Sequence, residues 1–127
     1  MSEVPDNLYY TADHEWLLIA DGVAVIGITD YAQDSLTDIV YVELPDGGSS
    51  FKSGEEFASV ESVKSVSGIF APLDGEVIAV NEELDDSPEL INQDPYGEGW
   101  IVKLRISSPD SESELLSPAD YKAEIGE

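Results

Sequence analysis

Lys64 is the residue in this chain best placed to do chemistry. It lies in Val60-Glu61-Ser62-Val63-Lys64-Ser65-Val66-Ser67-Gly68, between two stretches that read as β-strands. A lysine at the tip of such a hairpin projects its ε-amine into water, where an ion pair gains little and an acyl group is readily attached. The chain has 5 Lys+Arg against 28 Asp+Glu, so a lysine kept at this position is an exception. Acylation makes a neutral amide on a long flexible stem and takes the formal charge from −23 to −23 − 1 = −24. The small neighbours Ser62, Ser65 and Ser67 leave room for a modifying enzyme.

The other candidates are weaker. His14 is the one histidine, and its pKa near 6.5 suits acid–base work. No nucleophile accompanies it, so a structural role is expected. Asp13 and Glu15 form an i, i+2 pair that would share one face of a strand. Paired carboxylates serve in glycosidases, but in so acidic a chain two such neighbours arise by chance. The run Glu82-Glu83-Leu84-Asp85-Asp86 lacks the spacing of a calcium loop and reads as solvated surface, with no metal site expected. Trp16 and Trp100 read as core or cleft-wall aromatics.

These residues need a scaffold, and 127 residues with 42% hydrophobic content suit one domain, 1–127. Asp21-Gly22 between Trp16–Ala20 and Val23–Ile28 marks a hairpin. Thr29 or Asp30 caps a short helix running to Leu36. Ile39–Leu44 is β-branched and aromatic, hence a strand, and Pro45–Ser50 breaks the chain. Strands are expected over Glu56–Val63, Ser65–Ala71, Glu76–Val80 and Gly99–Ile106. Residues 81–96 read as a long connection with one helical turn, and 111–116 as a short helix. Ser117-Pro118-Ala119-Asp120 opens a last helix that Gly126 ends. The expected fold is mainly β, a sandwich or small barrel with short peripheral helices and a C-terminal helix.

The charge of −23 repels nucleic-acid phosphate and anionic lipid, so neither is expected as a partner. It also opposes compaction, a strain that about 1 M salt relieves by shrinking the Debye length to roughly 3 Å. A halophilic, high-salt cytoplasm is therefore the expected setting, in preference to an acidic mesophilic protein that docks on basic partners. There is no cysteine, so neither a disulfide nor a cysteine-ligated metal site is expected. The N-terminus has neither a basic nor an apolar targeting region, and no apolar run approaches the roughly 20 residues of a membrane span. The expectation is a soluble, cytoplasmic monomer.

Several segments, in order along nearly the whole chain, carry a family resemblance. They are Tyr10–Trp16 with His14-Glu15-Trp16, Ile26–Gln33, Val42–Pro45, Glu61-Ser62-Val63-Lys64, Ala71–Val77, Val80-Asn81 and Asn92–Trp100 with Asp94-Pro95-Tyr96. Together they resemble the H-protein family of the glycine cleavage system. The resemblance implies a lipoyl-type barrel-sandwich hybrid with lipoate amide-linked to Lys64, and Glu61, Ser62 and Val63 as the motif read by the lipoylating enzyme. It implies a carrier, not an enzyme. The lipoyl disulfide takes an aminomethyl group from glycine at the decarboxylase (P-protein). The aminomethyltransferase (T-protein) passes the one-carbon unit to tetrahydrofolate, and dihydrolipoyl dehydrogenase (L-protein) reoxidises the dithiol. The resemblance also implies a cleft that shelters the loaded arm, with Glu15, and Asp13 near it in the chain, facing the aminomethyl nitrogen.

Two positions depart from the family pattern. Gly68 stands four residues after the lysine, where an acid is frequent, and Thr37 stands where glycine is usual, with a small change in the turn expected. Other carriers remain to be weighed. A biotinyl domain usually has Met on both sides of its lysine, whereas the neighbours here are Val63 and Ser65. An H-like protein that relays lipoate to other acceptors is the alternative to glycine cleavage, and the sequence does not separate the two.

Overall fold

Asp21 (φ 53°) and Gly22 (φ 78°) make the tight turn of the first long hairpin, the two-residue geometry that follows the natural twist of strands. The turn joins β2 (Glu15–Ala20) to β3 (Val23–Ile28), and the two-residue β1 (Tyr9–Tyr10) pairs outside β2. The computed structural model describes residues 3–106 and 115–126. Among them, β1, β2 and β3 continue through β9 (Val102–Ile106), β8 (Gly75–Val80) and β5 (Ser50–Phe51) into a six-stranded antiparallel sheet ordered β1-β2-β3-β9-β8-β5. A second sheet holds β4 (Ile39–Glu43), β6 (Glu56–Ser62) and β7 (Val66–Phe70), ordered β4-β6-β7.

Both sheets supply the main core. Leu17, Ile26, Val77 and Leu104 come from the larger sheet and Val42, Val60 and Ile69 from the smaller. Each such buried aliphatic side chain contributes roughly 1.5–3 kcal/mol. The result is a mainly β barrel-sandwich hybrid with short helices at its edge.

The helices are α1 (Asp30–Leu36), α2 (Glu83–Asp86), α3 (Leu90–Gln93) and α4 (Pro118–Glu124). Thr29 caps α1 by accepting from Ala32 N at 3.2 Å, and Ser117 caps α4 by accepting from Asp120 N at 3.1 Å, as their sequences require. The connection expected to hold one helical turn thus holds two, α2 and α3. The last expected strand begins at Val102, not Gly99. Leu116 pairs with Tyr10 in an isolated bridge; residues 111–114 of the helix expected over 111–116 lie outside the described residues.

A second, aromatic cluster ties α4 to the larger sheet. Tyr121 stacks on Tyr10 with ring centroids 4.7 Å apart, beside Trp16. Trp16 lies directly over its cross-strand neighbour Gly27, where an added Cβ would come within 2.7 Å of the indole nitrogen. Only glycine leaves that space. The indole N–H then donates to Pro95 O at 2.8 Å and fixes the segment between α3 and β9.

Candidate functional site

The turn between β6 and β7 is built by Ser62. Its buried hydroxyl accepts from Lys64 N and Ser65 N, each at 3.1 Å, while its own N–H donates to Ser65 O at 2.8 Å. This is the local side-chain turn that serine favours. Val63 N also donates to Asp38 O at 3.1 Å, tying the turn to the start of β4. Ser62, expected from its sequence position to leave open space beside the lysine, is instead folded into the turn. It is 6% exposed and structural. Ser65 is exposed, and Ser67 is half-buried.

Lys64 itself is exposed. Its Nζ donates to Ser35 O at 3.4 Å, a carbonyl in the last turn of α1, where backbone acceptors lack helical partners. The one ion pair among the described residues joins Arg105 to Glu76, both exposed. Among the described residues Lys64 thus rests on a carbonyl and on no carboxylate.

Ser35 also lines a cleft of about 340 Å³ between α1, the start of β2 and the strands β6 and β7. Apolar walls come from Ile28, Leu36, Val60 and Ile69, and polar ones from Asp13, His14 and Glu15. Glu15 is 2% exposed. One carboxylate oxygen accepts from Phe70 N at 2.8 Å and the other from Thr11 Oγ1 at 3.1 Å. Burial pushes its pKa up to about 8, against the pull of those two hydrogen bonds, and the nearby Asp13 charge adds to the rise. The Glu15 carboxyl therefore holds its proton far more tightly than an exposed glutamate does.

Asp13 and Glu15 do not share a strand face. β2 begins at Glu15, and Asp13 sits in the preceding turn, exposed, with its N–H donating to Thr11 Oγ1 at 3.2 Å. His14 between them takes φ 67°, which breaks the alternation. Both acids still line the cleft, one open to water and the other dry. His14 also lines the cleft, and it is held in place there: Nδ1 lies 2.9 Å from Tyr121 Oη, and the ring meets Tyr31 at 4.9 Å. Burial lowers its pKa, opposed by Asp13 and Glu124.

The sequence profile described as "Glycine cleavage H-protein" matches residues 8–127. A glycine cleavage system H protein from Psychrobacter sp. strain PRwf-1 is 53% identical over 126 residues, 98% of this chain and 100% of that protein. A probable glycine cleavage system H protein from Picrophilus torridus is 52% identical over 127 residues, covering both chains fully. The crystal structure of a glycine cleavage system H protein from Mycobacterium marinum superposes with a TM-score of 0.91 at 38% identity, covering 98% of this chain and 100% of that one. This chain belongs to the glycine cleavage H-protein family.

Three residues that shape the H-protein cleft are not singled out by sequence reasoning, although Asn92 lies in a segment that carries the family resemblance. Asn92 accepts from Ile39 N at 2.9 Å and donates to Gln33 Oε1 at 2.9 Å and Thr37 O at 2.7 Å, pinning the C-terminal end of α1 to β4. Tyr121 Oη lies 2.7 Å from Thr29 Oγ1 at the other end of α1. Ser35 acts through its main chain, which composition cannot report. Of the two departures, Thr37 adopts φ 64°, a region that glycine tolerates and a β-branched residue enters at a cost. At Gly68 an added Cβ would collide with the Glu56 carboxylate, so a carboxylate from β6 fills the space beside that position.

Proposed function

We propose that Lys64 is the lipoylated lysine of this chain, joined to its cofactor by an amide at Nζ, and that Glu61, Ser62 and Val63 form the segment recognised by the attaching enzyme, Glu61 and Val63 by exposed side chains and Ser62 by the turn it holds. One observation carries this reading: the exposed Lys64 amine sits on a pinned turn, 3.4 Å from a carbonyl of Ser35, which itself lines the cleft. An arm starting there has the cleft within reach and solvent on its other side.

As an H-protein the chain is a lipoyl carrier of the glycine cleavage system and is not itself catalytic. The lipoyl group supplies the sulfur chemistry, taking up the aminomethyl fragment of glycine. The site's residues fit it: apolar walls suit a hydrocarbon arm, and Glu15 is a buried acid that a cationic load would ionise. Ser62 fixes where the arm begins. Asp13 places a charge at the exposed rim. Ser35 offers the amine a neutral resting contact before acylation.

One tethered arm then serves the decarboxylase, the aminomethyltransferase and dihydrolipoyl dehydrogenase in turn at raised effective concentration. We infer a monomeric, cytoplasmic protein with a single carrier domain over 1–127, and a high-salt cell interior to match the charge of −23.

The test is Lys64→Arg. Intact mass after exposure to the lipoylating enzyme should show no adduct, glycine-dependent carbon dioxide exchange should vanish, and thermal unfolding should match the parent. Exchange retained by Lys64→Arg would overturn the assignment.

A further inference from the structure

Exposed apolar side chains scattered singly on a surface need no explanation, but a contiguous group does. In this acidic chain such a group surrounds Lys64. Val63 and Val66 are each 65% accessible, and Tyr41 and Val40 are 51% and 48% accessible. They are contiguous by register. Tyr41 pairs with Glu61 and Glu61 with Val66, one row across β4, β6 and β7, and directly opposed side chains touch. Val63 is next to the lysine and is held to β4 through Asp38. Val40 stands out at the register shift between Ile39 and Tyr41.

We propose that Val40, Tyr41, Val63 and Val66, with Glu61 at their centre, form the docking surface for the enzyme that acylates Lys64. This rests on the assignment of Lys64 above. Reach selects the occupant. A lysine Nζ stands roughly 6 Å from its Cα, so an enzyme holding an activated acyl group against it must cover the side chains around the turn. Attachment of the arm roughly doubles that reach, and enzymes acting on its far end need not cover the turn.

Charge selects the partner's chemistry. Glu61 is exposed and makes no ion pair among the described residues, so the fitting surface is an apolar lip carrying a basic side chain opposite Glu61. In the step served, the Nζ–carbonyl carbon bond forms and the bond from that carbon to the donor's leaving group breaks. The leaving group departs with the electron pair, and the ammonium gives up two protons to solvent.

The experiment uses the full chain, a lipoate–protein ligase, lipoate and ATP. Tyr41→Ser/Val66→Ser should raise the KM for the unmodified protein about tenfold with kcat unchanged, the loss expected when aromatic and aliphatic anchors leave an interface. The effect should persist at about 1 M salt, whereas that of Glu61→Gln should fade there. The same double variant, driven to full modification with excess ligase, should support glycine-dependent exchange within about twofold of the parent. Its thermal unfolding should be unchanged, since both side chains are exposed.

An unaltered ligase KM overturns the proposal. So does an equal loss in ligation and exchange, which would make the patch a general docking face. An adduct on Lys64→Arg would instead overturn the lysine assignment, whatever the patch does.

Discussion

Replacing Glu15 with glutamine should change how stability depends on pH. The Glu15 carboxyl keeps its proton in the folded protein up to about pH 8, against a value of 4.5 when unperturbed. Between those values the folded chain holds a proton that the unfolded chain has released, so the contribution of Glu15 to stability is fully present below pH 4.5 and lost as pH rises through about 8. The shift spans 8 − 4.5 = 3.5 pH units, which at about 1.4 kcal/mol per unit corresponds to about 5 kcal/mol. Glutamine is neutral throughout and removes this dependence.

Urea unfolding of both proteins at constant high salt, from pH 5 to pH 8, measures it. The stability of Glu15→Gln relative to the parent should improve with pH by about 1.4 kcal/mol per unit. The offset at low pH, set by the altered bonds to Phe70 N and Thr11 Oγ1, is a constant that the slope does not contain. Two profiles that run parallel over this range would refute the reasoning, because they would mean that Glu15 titrates alike in the folded and unfolded chains.

Other outcomes follow from neighbouring features. Entry of a cationic load into the cleft at pH 7 should release about one proton from Glu15, visible by calorimetry in buffers of different ionisation enthalpy. Thr37→Gly should stabilise the protein by about 1 kcal/mol in urea unfolding, since it relieves a β-branched residue at φ 64°. Asn92→Ala removes three hydrogen bonds and leaves Ile39 N unpaired; the loss should be about 1–3 kcal/mol, with faster hydrogen exchange in α1. Dialysis from concentrated to dilute salt should lower the unfolding temperature reversibly, as the −23 charge loses its screening.

What the sequence reveals and conceals follows from range. The Asp21-Gly22 turn, the Thr29 and Ser117 caps and the lysine turn are written in a few adjacent residues, and they form as expected. The two-residue strands β1 and β5 carry no pattern of their own and exist only because β2 and β8 offer them an edge. By composition and spacing Glu15 is one more acid in an acidic chain, and only the family resemblance singles it out. Its burial depends on Phe70, 55 positions away, and its separation from Asp13 on the positive φ of His14. Asn92 and Tyr121 act over similar or longer spans, 53 residues to Ile39 and 107 to His14. Ser62 shows the limit even within a motif: a small polar residue beside a lysine reads as clearance until the hydroxyl is seen to hold the turn.

The two anchors of α1 tie the cleft to distant parts of the chain. The hydrogen bonds of the lysine turn lie within residues 38–65, whereas one end of α1 is pinned by Asn92 and the other by Tyr121. A local opening that frees Asn92 or Tyr121 therefore loosens the wall beside the amine while every hydrogen bond of the turn itself persists.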